Sequence, residues 1–169
     1  MALDSFVKSD LEGSIVLTDG AANTMTLAFD MGDLSISNLK ETLNEGLQYE
    51  RRGRFKSAGL GARIYPSGTF SAMVHQFSDA TADVLSDFIL RNGKFSSNQS
   101  TYGATHPVYA INITLNIEGS TFGGSDSTVT LNDCSVQIDS LTEGRPSTFS
   151  ISFTSTGAVT GDLAAAEIA

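Results

Sequence analysis

One cysteine, no tryptophan, three prolines and two histidines in 169 residues leave little of the usual equipment for covalent cross-linking, metal binding or catalysis. Cys134, being alone, excludes an intrachain disulfide and a thiolate zinc cluster, and it reads as a small buried hydrophobe. His75 and His106 have no second His or Cys at ligand spacing, so neither marks a metal site or a cofactor. No Gly-x-Ser-x-Gly elbow occurs, and Gly59-Leu60-Gly61 lacks the further glycine of a dinucleotide loop. Gly123-Gly124-Ser125-Asp126 is a lone copy of a calcium-repeat turn, which is more often simply a turn. The absence of tryptophan disfavours a carbohydrate platform. No stretch approaches the ~20 apolar residues of a helical membrane span, and residues 1–14 hold no apolar run of signal-peptide length, so a cytoplasm-like compartment is expected. Positive charge is scarce too. Ten Lys+Arg against nineteen Asp+Glu give a formal charge of −9, which argues against sequence-independent DNA binding.

What the chain does have is hydroxyl groups. Ser (22) and Thr (17) supply much of its polarity while charged residues make up only 17%, a composition that suits β surfaces. Apolar and polar residues alternate with the period of a half-buried strand. Met25, Leu27 and Phe29 do so, and Leu34 and Ile36 resume the pattern after an Asp30–Asp33 turn. Phe70, Ala72 and Val74 share one face of residues 68–77, and the clearest cases are Ile111, Ile113, Leu115, Ile117 and Phe149, Ile151, Phe153. Between Val129-Leu131 and Cys134-Val136-Ile138 the apolar phase slips, which predicts a bulge or turn at Asn132-Asp133. Turn composition marks 119–125 and 143–146. Thr81, Val84, Leu85, Phe88 and Ile89 instead follow helical spacing. They predict a helix of about 12 to 14 residues, capped by Ser78 or Asp79 and ended at Asn92-Gly93, with Val84, Leu85, Phe88 and Ile89 packed on a sheet and Asp79, Asp83 and Asp87 on another face. Residues 94–106 read as a polar loop.

Residues 38–61 fit neither period. Four of the ten basic residues, Arg51, Arg52, Arg54 and Lys56, fall in six positions there, beside Phe55. Nucleic-acid binding and a solvated strand face are both open readings of this cluster. On a chain of net charge −9, contact with the acidic remainder of a second copy is the better one. Leu47, Tyr49, Arg51, Arg52, Arg54, Phe55 and Lys56 are therefore the candidate interface between subunits.

Taken in order, the strand pair before residue 38, the excursion ending in residues 49–55, the strand 66–72, the single helix from Asp79 and the closing strand within 144–157 resemble the tail tube proteins (major tail proteins) of long-tailed bacteriophages. The resemblance implies a mainly β fold of two packed antiparallel sheets, sandwich-like or barrel-like, with one flanking α-helix. It implies one domain over 1–169, with an assembly loop at about 38–61 and a small-residue tail at 157–169. Protomers would complete a large β-barrel in rings, usually hexameric, that stack into a hollow tube conducting DNA. The expected role is structural, without catalysis or cofactor, in a virion tail assembled in the host bacterial cytoplasm. Implied partners are copies of itself, tape measure, tail terminator and baseplate or tail-tip proteins, with DNA only in passage. Such a passage wants an acidic or hydroxyl-rich wall, which Asn112, Thr114, Asn116, Glu118 or Ser150, Ser152, Thr154 could supply. Rival readings are a tube protein of a related contractile injection or secretion system, a β-sandwich binding module, and a hydrolase drawing carboxylates from Asp126, Asp133 and Asp139.

Overall fold

The computed structural model describes residues 13–28, 34–39, 47–50, 56–59, 64–96, 109–117 and 127–161. Eight strands form one antiparallel sheet: β1 (Gly13–Thr18), β2 (Thr24–Ala28), β3 (Leu34–Ser37), β6 (Ser67–Met73), β7 (Ile111–Ile117), β8 (Ser127–Thr142), β9 (Thr148–Ser155) and β10 (Val159–Gly161). Their order is β2-β1-β7-β8-β9-β6-β3, with β10 paired to β8. A separate two-stranded ribbon joins β4 (Leu47–Glu50) to β5 (Lys56–Gly59).

The expected two sheets are therefore hydrogen-bonded into one, and the reason is β8. Over its 16 residues it changes partner, pairing with β7 and β10 along its first half and with β9 from Cys134 onward. The changeover is the predicted irregularity: Ile111 pairs with Cys134 but Ile113 with Leu131, so β8 carries an extra residue, and Asp133 takes a left-handed φ of 52°. Asn112 Oδ1 accepts the Asp133 N–H at 2.9 Å, and Thr156 N–H donates to the Asp133 carbonyl at 3.1 Å. The extra residue restores facing, so Val129, Leu131 and Cys134 all point into the core.

The sheet cannot be flat. Its edge strands β2 and β3 are joined by residues 29–33 alone, a reach of at most roughly 22 Å, whereas seven flat strands span roughly 29 Å. It curls instead, and Met25 and Leu27 of β2 share a cavity of about 100 Å³ with Met73, Val74, Val84, Leu85 and Phe149. Inside the curl, Ile15, Leu17, Ile113, Leu115, Val129 and Leu131 from one arm meet Phe70, Phe149, Ile151 and Phe153 from the other in one core cluster. Gly68 gives the Phe153 ring its place, since a Cβ there would lie 2.7 Å from that ring.

The strands before residue 38 differ from the expectation of a pair. β2 pairs with β1, and β3 with β6 at the far side of the sheet. Proximity in sequence reflects closure of the curl rather than a hairpin. The Asp30–Asp33 turn, residues 119–125 and residues 162–169 lie outside the described residues. Val159–Gly161, assigned to the tail, is a strand on β8.

The helix is shorter than its periodicity suggests. α1 covers six residues, Leu85–Leu90, after an extended Val84. Asp79 is not its cap. The Asp79 carboxylate accepts the Thr81 N–H at 2.7 Å, the Thr81 hydroxyl at 2.8 Å and the Ala82 N–H at 3.0 Å, bonds that bend the chain and compete with helix formation. These donors, Thr81 first, hold its carboxyl well below the usual carboxylate range. Thr81 is consequently exposed, while Val84, Leu85, Phe88 and Ile89 are buried as expected. The left-handed residue ending α1 is Arg91, at φ 58°, one step before Asn92-Gly93. Phe95, placed by sequence in a polar loop, is buried in a short 3-10 turn, Gly93–Phe95, against Phe88 at 5.0 Å between ring centroids.

Candidate assembly surfaces

Because the core takes one face of the main sheet over most of its strands, the other face is what the curled sheet presents outward, and it is built mainly of hydroxyls and amides. Across the first arm, Thr26, Val16, Thr114, Thr130 and Thr160 stand in one register row over five strands. Ser14, Asn116 and Thr128 form the next, and Thr24, Thr18 and Asn112 a third. These rows contain no ionisable side chain. They are tied internally: Thr114 and Thr130 hydroxyls lie 3.0 Å apart, and Asn116 Nδ2 donates to Ser14 Oγ at 3.1 Å. Across the second arm run Ser35, Thr69, Ser152, Gln137 and, beside them, Ser37, Ser67, Thr154, Ser135. Asp139 supplies a carboxylate here, accepting the Ser152 hydroxyl at 2.9 Å. Of the wall candidates named from sequence, Asn112, Thr114, Asn116 and Ser150, Ser152, Thr154 thus lie on this outward face, and Glu118 lies outside the described residues.

The sheet also leaves backbone unpaired. Among the described residues no strand pairs with the side of β8 opposite β9 over Ser135–Thr142, because pairing with β7 stops at Cys134. Asp139 to Thr142 are exposed on both faces, so this stretch projects beyond the core.

Of the sequence-predicted interface residues, Leu47 and Tyr49 lie in β4 and Lys56 in β5, brought together by the register Leu47 to Gly59 and Glu50 to Lys56. Arg51, Arg52, Arg54 and Phe55 lie between these strands, outside the described residues. The extended character of residues 48–50 and 56–57 is legible in the sequence, and the pairing of β4 with β5 is not. Sequence reasoning misses two features. One is the β8 edge, which depends on where a distant strand ends. The other is Asp87, placed by its spacing away from the core stripe yet only 2% exposed, where it accepts the Ser78 hydroxyl at 3.0 Å and the Asp79 N–H at 2.9 Å. Gly93, at φ 50°, fits against the same carboxylate, which a Cβ would strike. Tyr109 secures the other end of α1, donating to the Phe88 carbonyl at 2.7 Å, and burial raises its phenol above the ordinary range.

No group of His, Cys, Asp and Glu able to hold a metal ion occurs among the described residues. His75 is exposed, and His106 lies outside them. Of the carboxylates of the hydrolase reading, Asp133 is the left-handed residue of the bulge, Asp139 accepts the Ser152 hydroxyl on the outward sheet face, and Asp126 lies outside the described residues. Cys134 is fully buried, and burial pushes its thiol from 9.0 up to about 12. The thiolate fraction at neutral pH falls accordingly by roughly a thousandfold. The folded protein is expected to resist a maleimide or disulfide reagent over hours and to react at once in denaturant. Prompt labelling of the native chain would contradict the burial.

Among solved structures, the chain is similar to one in the anti-feeding prophage (AFP) baseplate, a six-fold symmetrised cryo-EM structure. The TM-score is 0.57 at 13% identity, over 96% of this chain and 97% of that one. It is similar to a chain of the AFP tube-terminating cap, with TM-score 0.51 and 14% identity over 96% and 94%. It is also similar to the SPP1 tail tube protein, with TM-score 0.50 and 13% identity over 90% and 77%. No family model matches the sequence, and neither does any curated protein. The likeness is one of fold: a mainly β tube-protein fold, here with an eight-stranded antiparallel sheet and, among the described residues, one α-helix.

Proposed function

We propose that this chain is a structural, non-enzymatic subunit of a phage-type tail tube, assembling into stacked rings around a channel. The observation that carries the reading is the shared fold over nearly the whole chain with the SPP1 tail tube and with AFP components. The surface chemistry supports it. An outward sheet face of Thr, Ser and Asn without a cation offers phosphates no counterion release, so duplex DNA would pass without being held. Open strand edges are aggregation hazards in a monomer and become joints in a closed ring. Expected partners are other copies of the chain, with cap, tape measure and baseplate components at the ends of the tube. A subunit of a contractile injection machine is the second reading, favoured by the higher TM-score with the AFP baseplate chain.

The test is assembly. Purified protein, concentrated towards the millimolar range, is expected to form rings or tubes visible by negative-stain electron microscopy. A chain that stays monomeric there, and is absent from particles of its source, overturns the reading.

A further inference from the structure

Two structural facts in different parts of the chain complement each other. The β4–β5 ribbon pairs with no other described strand, and a lone two-stranded hairpin is marginal in water, gaining stability when a third strand is added. The Ser135–Thr142 edge of β8 has no described strand on the side away from β9, and its outward N–H and C=O groups run on both sides of a bulge between Ile138 and Ser140. It contains neither lysine nor proline, residues that natural edges use to repel a partner.

The geometry points to the β5 strand of one copy adding to the Ser135–Thr142 edge of β8 in another copy, an inference that rests on the tube reading and names its joint. Charge selects the occupant. β5 carries Lys56, and the sequence just before it adds Arg51, Arg52 and Arg54 on a chain of net −9, whereas the edge and its turn carry Asp139 and Glu143. It also selects the strand, since β4 ends in Glu50 while β5 begins with Lys56. The small residues Ser57, Ala58 and Gly59 that follow permit close approach of the two backbones.

Single-cysteine partners test this directly. Protein carrying Ser57→Cys is mixed with protein carrying Gln137→Cys, Ser140→Cys or Thr142→Cys, oxidised, and run on non-reducing gels, with tubes scored in parallel by microscopy. Circular dichroism verifies that each variant is folded, and the buried native Cys134 stays silent in the unsubstituted control. A disulfide-linked pair from at least one mixture, absent when either protein is oxidised alone, is the expected result. Tubes without any linked pair overturn the joint and leave the tube reading standing. A linked pair without tubes supports the joint and removes the tube reading. No linkage in any mixture and no tubes overturn both.

Discussion

Arg52→Glu combined with Arg54→Glu is expected to abolish the proposed assembly while the monomer keeps its melting temperature. Both residues lie in sequence between β4 and β5, and among the described residues that ribbon shares no hydrogen-bonded strand with the main sheet. At an interface with an acidic neighbour, removing one partner of a desolvated charge pair costs about 2–5 kcal/mol, and reversal adds repulsion. In the proposed ring, two such losses at every contact would leave association far too weak at any workable concentration. Sedimentation and negative-stain microscopy report the assembly, and thermal denaturation reports the fold. Unimpaired tubes would return the cluster to a solvated role, and loss of the folded monomer would place it in the structural core.

Asp87→Ala has the largest effect expected on the monomer. The carboxylate is buried and accepts the Ser78 hydroxyl and the Asp79 N–H, thereby pinning the segment before α1 to the helix itself. Truncation strands both donors and opens a gap beside Gly93, a combination worth about 2–4 kcal/mol. A chain of this size then melts roughly 5–15 °C lower. Asp87→Asn retains an acceptor and should lose less. Urea unfolding with an unchanged slope and a lowered midpoint would be the signature, and an unshifted midpoint for Asp87→Ala would contradict the role of this group.

The strands legible in the sequence are those whose facing is set by local alternation. Ile111 to Ile117 and Phe149 to Phe153 alternate cleanly because one face is core and the other is solvent, and the phase slip at Asn132-Asp133 marks the bulge because an extra residue must reverse the alternation. Local spacing misleads where side chains compete with the backbone. Val84, Leu85, Phe88 and Ile89 do form a buried stripe, but the Asp79 turn takes the preceding residues out of the helix. Partner choice is not legible at all. Nothing near β2 and β3 announces that they belong to opposite edges, and β10 is too short for periodicity to register. The outward hydroxyl residues are visible as alternating polar positions, yet their alignment into rows depends on registers between strands far apart in sequence. The β8 edge is harder still, being defined by the end of β7, a neighbour that arrives from elsewhere.

The dependence of the whole sheet on β8 governs when it can form. Ser14 of β1 meets Asn116 of β7 across 102 positions, and β7 in turn waits for β8, as does β9 on the other arm. During synthesis, then, β1 and β2 emerge as a hairpin with nothing to close on, and neither arm is complete until residue 155 has left the ribosome. Such non-local pairing places folding in the slow range, roughly milliseconds to seconds. It also orders events in time. A nascent chain that has not yet paired β9 with β8 has no finished β8 edge to offer, so in the proposed assembly each copy closes its own sheet before it can join a neighbour.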